Sequence, residues 1–375
     1  EFYKNNFYDY TDPMKVITAG GEGAVNYNAV LFIPSHAPYD FYTKEYKKGL
    51  ALYSSGVMIM EKCEELLPDY YNFVRGVVDS SDLSLNISRE LLQQNHELKL
   101  IRKNIEKKIK NELASMRDND REKYEEFWKA FGRVIKFGVY SEYGTNKDTL
   151  ADLLILFSAK EQKMVTLDEY IAVMPESQKY IYFASSDSTD RAAKLPNTEA
   201  VLEHGYDVLL CTEDIDEFCL QVINKYKDKE FKNVGGGNLE LETEEEKAAA
   251  KSSAEENKGL LDAIRDALGG KVKEVRTSAV LKEHPVALSS DGPVSIEMEK
   301  VLKNMPGNDG ITSEKVLEIN ENHPVFQAMK DTAAAGDSEK LALYAKILYD
   351  QARLIEGLPI EDPVEYAKAV CSLIK

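Results

Sequence analysis

Residues 73–95 read Phe73-Val74-Arg75-Gly76-Val77-Val78-Asp79-Ser80-Ser81-Asp82-Leu83-Ser84-Leu85-Asn86-Ile87-Ser88-Arg89-Glu90-Leu91-Leu92-Gln93-Gln94-Asn95. Directly after them, Leu98, Ile101, Ile105, Ile109, Leu113 and Met116 recur at helical spacing with Lys and Arg between them, which predicts a long amphipathic helix following Ser88. Arg89 is a permanent cation whose planar donor fork suits a terminal phosphate. Gln93 lies four residues later, on the same side if the chain is helical there. For an isolated arginine, a surface pairing with Glu90 or a helix-end carbonyl accounts for the same residue.

Upstream of this stretch, Tyr27 to Ile33 and Val57 to Met60 read as strands separated by the turn-rich segment Pro34 to Asp40. Downstream, Asp120 to Gly138 carries Tyr124, Phe127, Trp128, Phe131 and Ile135 at helical spacing, and Asp148 to Phe157 reads as a further helix. Asp118-Asn119-Asp120 begins like a calcium loop, but Lys129 falls where the bidentate Glu belongs, so a polar break between helices is expected. Tyr180 to Ala184 and Tyr206 to Leu210 resemble short buried strands, each followed by polar residues and a helix, as in a small α/β unit.

The clearest boundary is 233–258, where Gly235-Gly236-Gly237 precedes a run containing Glu240, Glu242, Glu244, Glu245 and Glu246. Beyond it we expect a helix to Leu268, strands near Val272 to Leu281 and Val286 to Ser289, and three terminal helices. The last two, Ser338 to Glu356 and Pro363 to Ile374, are joined by Gly357-Leu358-Pro359 as an αα-hairpin. In the first of these, Leu341, Tyr344, Ala345, Leu348, Ala352 and Ile355 form one stripe. A second copy of the hairpin would bury that stripe in a four-helix interface, and packing within one chain is the more common alternative.

The expected fold class is therefore α/β in the α+β multidomain sense. A layered α/β middle domain spans 1–234: a larger α/β part at 1–115, a helical connector at 116–155 and a small α/β part at 156–234. A linker with the start of a helix follows at 235–258, then a mixed α/β C-terminal dimerisation domain at 259–375.

The 375 residues exceed one ordinary hydrophobic core, and 43% hydrophobic residues suffice for two or three. A formal net charge of −18 disfavours nucleic acid and anionic membrane surfaces as partners, since both require clustered Lys and Arg. No apolar run approaches membrane-spanning length, and Glu1 to Tyr10 does not resemble a secretory signal, so a cytoplasmic location is expected. The four cysteines and five histidines are scattered without metal-ligand spacing, so no metal is expected. Gly20-Gly21-Glu22-Gly23 lacks the Lys of a phosphate-binding loop, and no independent nucleotide site is expected.

The stretch from Phe73 to Asn95 resembles the signature loop of the 90-kDa heat-shock chaperones. Further similarity lies in Leu31-Phe32-Ile33-Pro34 with Ala37-Pro38-Tyr39-Asp40, in Glu64-Glu65-Leu66-Leu67-Pro68, in Leu100-Ile101-Arg102-Lys103-Asn104 and in Leu358-Pro359-Ile360-Glu361-Asp362-Pro363. Together they span almost the whole chain, and the details resemble the bacterial form of the family. Ser84 departs from the Pro of many relatives, and Ser54-Ser55-Gly56 replaces a more basic stretch.

The resemblance implies a dimeric chaperone lacking its own nucleotide-binding domain. This chain alone would carry no cofactor and no enzyme activity, whereas the full-length parent would use ATP and Mg2+ as an ATPase. Arg89 and Gln93 would then reach the γ-phosphate of ATP held by the N-terminal domain. Unfolded or partly folded client proteins, a second copy of the chain, and co-chaperones are the implied partners. Client contacts are expected at Glu217 and Phe218, where relatives often carry Trp, and along Val294, Met298, Val301, Leu302 and Met305. From periodicity alone, Phe218 reads equally well as helix core, and an amphipathic helix such as the one carrying Met298 is more often buried than exposed, so the resemblance alone assigns that face to clients. A transducer arm of a topoisomerase-like ATPase is the competing reading, disfavoured by the C-terminal motif and hairpin.

Overall fold

The computed structural model describes residues 1–84, 95–278, 280–305, 307 and 310–373. The chain divides into two compact units, Glu1–Ile155 and Leu156–Lys375.

In the first unit, β1 (Lys15–Gly21), β2 (Tyr27–Ile33), β3 (Leu50–Ser54), β4 (Val57–Cys63) and β5 (Arg75–Asp79) form a mixed sheet of order β1-β2-β5-β3-β4. Within it β3 and β5 run parallel and the other neighbours antiparallel. A short helix, α1 (Phe2–Phe7), precedes the sheet. The predicted long helix is α2 (His96–Asn119), and the six periodic residues from Leu98 to Met116 are all buried. It starts where Asn95 Oδ1 accepts the Leu98 N–H at 2.7 Å, satisfying one of the free donors of the first turn.

Asp120 then breaks the chain before α3 (Arg121–Gly144), whose backbone leaves helical geometry at Ser141, Glu142 and Tyr143. Phe127 and Phe131 from α3 meet Phe73, which precedes β5, at ring-centroid distances of 5.3 and 4.7 Å. Aromatic packing thus fixes the start of the signature stretch against the helical layer.

The further helix read over Asp148–Phe157 is corrected. Lys147–Leu150 makes one helical turn (α4), Ala151–Leu153 a 3-10 turn, and Ile155–Ser158 a strand, β6. Leu153 to Leu156 is a continuous apolar run whose periodicity does not separate helix from strand. Pairing of Phe157 and Ser158 with Leu210 and Leu209 decides for the strand.

The second unit holds a six-stranded sheet of order β10-β11-β8-β9-β6-β7, built from β6, β7 (Lys163–Thr166), β8 (Tyr180–Ser185), β9 (Val208–Cys211), β10 (Lys225–Tyr226) and β11 (Lys229–Asn233). Between these strands lie α5 (Leu167–Ala172), α6 (Thr189–Ala193), α7 (Pro196–Glu203) and α8 (Asp216–Ile223). The two strands foreseen here, β8 and β9, pair in parallel at its centre.

The glycine-rich turn leads to α9 (Glu244–Glu256) and α10 (Lys258–Ala267). A three-stranded sheet follows, in which β14 (Glu314–Asn320) lies between β12 (Glu274–Ser278) and β13 (Val286–Asp291). Helix α11 (Ile296–Lys303) sits between β13 and β14 in sequence. The chain ends in α12 (Pro324–Ala334), α13 (Ser338–Ile355) and α14 (Pro363–Leu373). β14 escaped the sequence reading, because buried Glu318 interrupts its apolar run. Arg276 pairs with that carboxylate, and Ser289 Oγ donates to it at 2.8 Å.

Gly237 rests on this polar group with φ +73. A Cβ there would lie 2.2 Å from Arg276 Nη2, so only glycine fits both the turn and the close approach.

Candidate functional site

Arg89 and Gln93 lie outside the described residues; the described residues on either side of them are held as follows. Ser54 Oγ, buried at the end of β3, donates to Leu83 O at 2.6 Å. Ser80 Oγ donates to Asn26 O at 2.6 Å, and the Asn26 N–H donates to Asp82 Oδ2 at 2.7 Å. Ser80 to Leu83 is thereby tied to the β1–β2 turn and to the end of β3, and Asn95 caps α2.

The two stretches singled out for clients come together. Glu217 and Phe218 from α8, Met298 and Val301 from α11, and Met305 just beyond it line one cleft of about 270 Å³, which Lys300 also borders. Ser185 and Cys211, the last residues of parallel strands β8 and β9, complete its floor. Crevices at the carboxyl ends of parallel strands are favoured binding positions in α/β sheets. Sequence reasoning did not name Ser185 or Cys211; the alternation of strand and helix near Tyr180 and Tyr206 is the signal from which they could have been found.

The five residues of the second client patch differ in position and exposure. Val294 precedes α11 and Met305 follows it; Met298 is buried, Val301 and Leu302 are half-buried, and Met305 is 46% exposed. Val294 and Leu302 do not border the cleft. Ser295 Oγ accepts the Met298 N–H at 3.0 Å and so starts α11, while Gln221 Nε2 lies 3.0 Å from Met298 Sδ. Met298 is thus held in place, and the adaptable apolar surface is left to Phe218, Val301 and Met305.

Glu217 is buried beneath the cleft. Asn233 Nδ2 donates to its Oε1 at 2.7 Å, while Oε2 finds no hydrogen-bond partner among the described residues. Burial pushes this carboxyl up to about 7 against the lowering effects of the neighbouring Ser295 hydroxyl, the Asn233 amide and the Ser185 hydroxyl, with the Glu297 charge adding to the rise. Glu217, named for client contact, is therefore a buried group lining the cleft, beside the half-buried Phe218.

The hairpin stripe is also corrected. Leu341, Ala345, Leu348 and Ala352 are buried in this chain's own core with Leu288, Leu317, Phe326 and Met329, and Tyr344 packs against the same cluster. Ile355 packs instead on the cluster around Tyr182 and Leu210. The apolar surface left over lies elsewhere on the hairpin: Leu354 is 44% and Val364 64% exposed, and Ala369 is the one buried residue of α14 among those described.

Among the described residues no group of three or more His, Cys, Asp or Glu side chains is placed to hold a metal. No described helix is long and apolar enough to cross a membrane.

The family profile for the Hsp90 protein matches residues 1–375. The chain belongs to the Hsp90 family. Among curated relatives, the chaperone protein HtpG of Clostridium botulinum (strain Langeland) is 56% identical over 374 residues, covering 100% of this chain and 60% of the relative. HtpG of Clostridium perfringens (strain 13) is 54% identical with 100% and 59% covered, and that of Bacillus subtilis (strain 168) 53% identical with 100% and 60% covered. This Hsp90-family chain therefore spans about 60% of the length of the relatives it matches. A match over the entire chain, hairpin motif included, leaves the topoisomerase-like reading without support.

Proposed function

We propose that this chain is the client-holding and dimer-forming part of a bacterial-type Hsp90 chaperone acting in the cytoplasm. Apolar side chains of unfolded or partly folded proteins enter the cleft between Phe218 and Met305. The observation that carries this reading is the convergence of two stretches, eighty residues apart in sequence, on that one cleft. Its half-exposed Phe, Val and Met side chains suit partners without a fixed sequence.

In the longer protein, Arg89 and Gln93 contact the γ-phosphate of ATP bound with Mg2+ by a family-type N-terminal domain. Arg89 neutralises charge that develops on the transferred phosphoryl group, and Gln93 supplies a hydrogen bond. Two chains join through the face of the terminal hairpin that carries Leu354 and Val364, and co-chaperones act on the assembled dimer.

The reading is tested by adding this chain to a denatured client enzyme and following aggregation by light scattering. Suppression that falls several-fold in Phe218→Ser/Met305→Ser at unchanged melting temperature supports it. Equal suppression by both proteins removes the cleft from client binding.

A further inference from the structure

A second cavity, of about 670 Å³, opens between the start of β12, helix α11 and the hairpin turn. Its wall carries five cationic side chains, Lys271, Lys300, Lys303, Lys315 and Arg353, against two carboxylates, Glu299 and Glu361. In a chain of net charge −18 such a local excess of positive charge is unexpected.

The two carboxylates are each shared. Glu299 is held by Lys303 and by Lys315, the latter at 2.6 Å, and also accepts from Ser313. Glu361 accepts from Lys271 at 2.7 Å and from Arg353 at 2.9 Å. Burial would raise the Glu299 carboxyl, but its bonds to Lys303, Lys315 and Ser313 outweigh that and bring it down to about 2, so it stays ionised. Lys300 uses Glu356 O, at 2.7 Å, and Glu297, which does not border this cavity. Four cations are thereby fixed in position by two charges, which leaves the cavity wall positive.

Donors remain unspent. An ammonium group carries three N–H donors. Among the described residues, Lys271 makes one hydrogen bond, to Glu361, and Lys303 one, to Glu299. Arg353 Nε is buried without a partner among the described residues. Lys271 and Arg353 also flank the Tyr349 ring, at 5.9 and 5.6 Å from its centroid, which keeps both charges beside the cavity.

We infer that this cavity binds a compact oligophosphate. Lysine ammonium groups act on phosphate as point charges, and the volume lies within the roughly 300–1,000 Å³ of small-molecule sites. The remainder of the surface, strongly negative, repels an extended polyanion over distances beyond the cavity. At about 0.15 M salt, screening over roughly 8 Å leaves the local cluster dominant for a small one. Lys300 borders both this cavity and the client cleft, but the inference uses neither Phe218 nor Met305, and Lys271 and Lys303, which test it, do not border that cleft.

Titration calorimetry of inorganic tripolyphosphate into this chain at about 0.15 M salt tests it. Saturable binding at one site per chain is expected, weakened at least tenfold in Lys271→Gln/Lys303→Gln. The variant Lys163→Gln/Lys194→Gln, which removes the same charge at exposed positions elsewhere, should bind like the parent. A parallel titration with a sugar bisphosphate separates a free oligophosphate from an organic phosphate ester: binding of either supports a phosphate site, and the tighter one names the source. No saturable heat with either ligand, or equal loss in the two double variants, overturns the inference. If Lys271→Gln/Lys303→Gln does not fold, Lys271→Gln alone, at a partly exposed position, must weaken binding for the site to stand.

Discussion

Asn233 Nδ2 donates to Glu217 Oε1 across 2.7 Å and so joins the end of β11 to the helix that carries Phe218. The carboxyl it holds is buried and titrates near 7, above the ordinary value of 4.5. A group whose folded pKa is raised binds its proton more tightly when folded. Its stabilising contribution is therefore complete below about 4.5 and is lost as pH rises through 7.

From this follows a prediction for Glu217→Gln. In the parent, the Glu217 contribution should fall by a few kcal/mol, on the order of 3, between pH 4.5 and 8. The variant should lose that part of the slope, so that its melting temperature changes less across the interval. Calorimetric unfolding at a series of pH values measures this, and identical pH profiles for the two proteins would contradict it.

The hairpin gives a second prediction. Leu348 is buried in the chain's own core, so Leu348→Ala should lower unfolding stability by about 2–5 kcal/mol whatever the oligomeric state. Val364 is exposed on α14, so Val364→Glu should leave the melting temperature of the domain nearly unchanged and shift a dimer toward monomer in light scattering. A dimer unaffected by Val364→Glu would place the contact elsewhere.

For Arg89 the expectation concerns the longer protein, with a family N-terminal nucleotide-binding domain joined to this chain. Arg89→Ala should reduce ATP turnover on the order of 10²-fold or more and leave ATP affinity nearly unchanged, because the contact strengthens as charge develops in the transition state. Steady-state turnover and equilibrium ATP binding, measured side by side, check it. Unchanged turnover removes Arg89 from the reaction.

Much of the architecture was legible in local pattern. The six residues from Leu98 to Met116 marked α2 because a helix buried on one side must repeat its apolar positions at helical spacing. Tyr27 to Ile33 was read correctly as a strand, as were the centres of β8 and β9. What failed were segments decided by distant partners. Ile155–Ser158 is a strand because β9 offers it backbone partners, and β14 is a central strand despite Glu318 because Arg276 and Ser289 satisfy that carboxylate.

For the candidate cleft, the sequence marked apolar faces but not their exposure. Periodicity places Met298 and Leu348 on apolar faces, but it does not say whether the chain itself or a partner covers them. In both cases this chain's own packing covers the residue. Ser185 and Cys211 enter the cleft through topology, as ends of parallel strands, and no residue type announced them.

The most direct measurement is site-specific photocrosslinking from position 218 to an unfolded client protein. A photoreactive aromatic residue replacing Phe218 should capture the client, and capture should fall when Met305 is changed to Ser. The same residue at Val173, exposed but not part of the cleft, should capture little. Equal capture from positions 218 and 173, or capture from 218 that ignores Met305→Ser, would contradict the assignment of this cleft to clients.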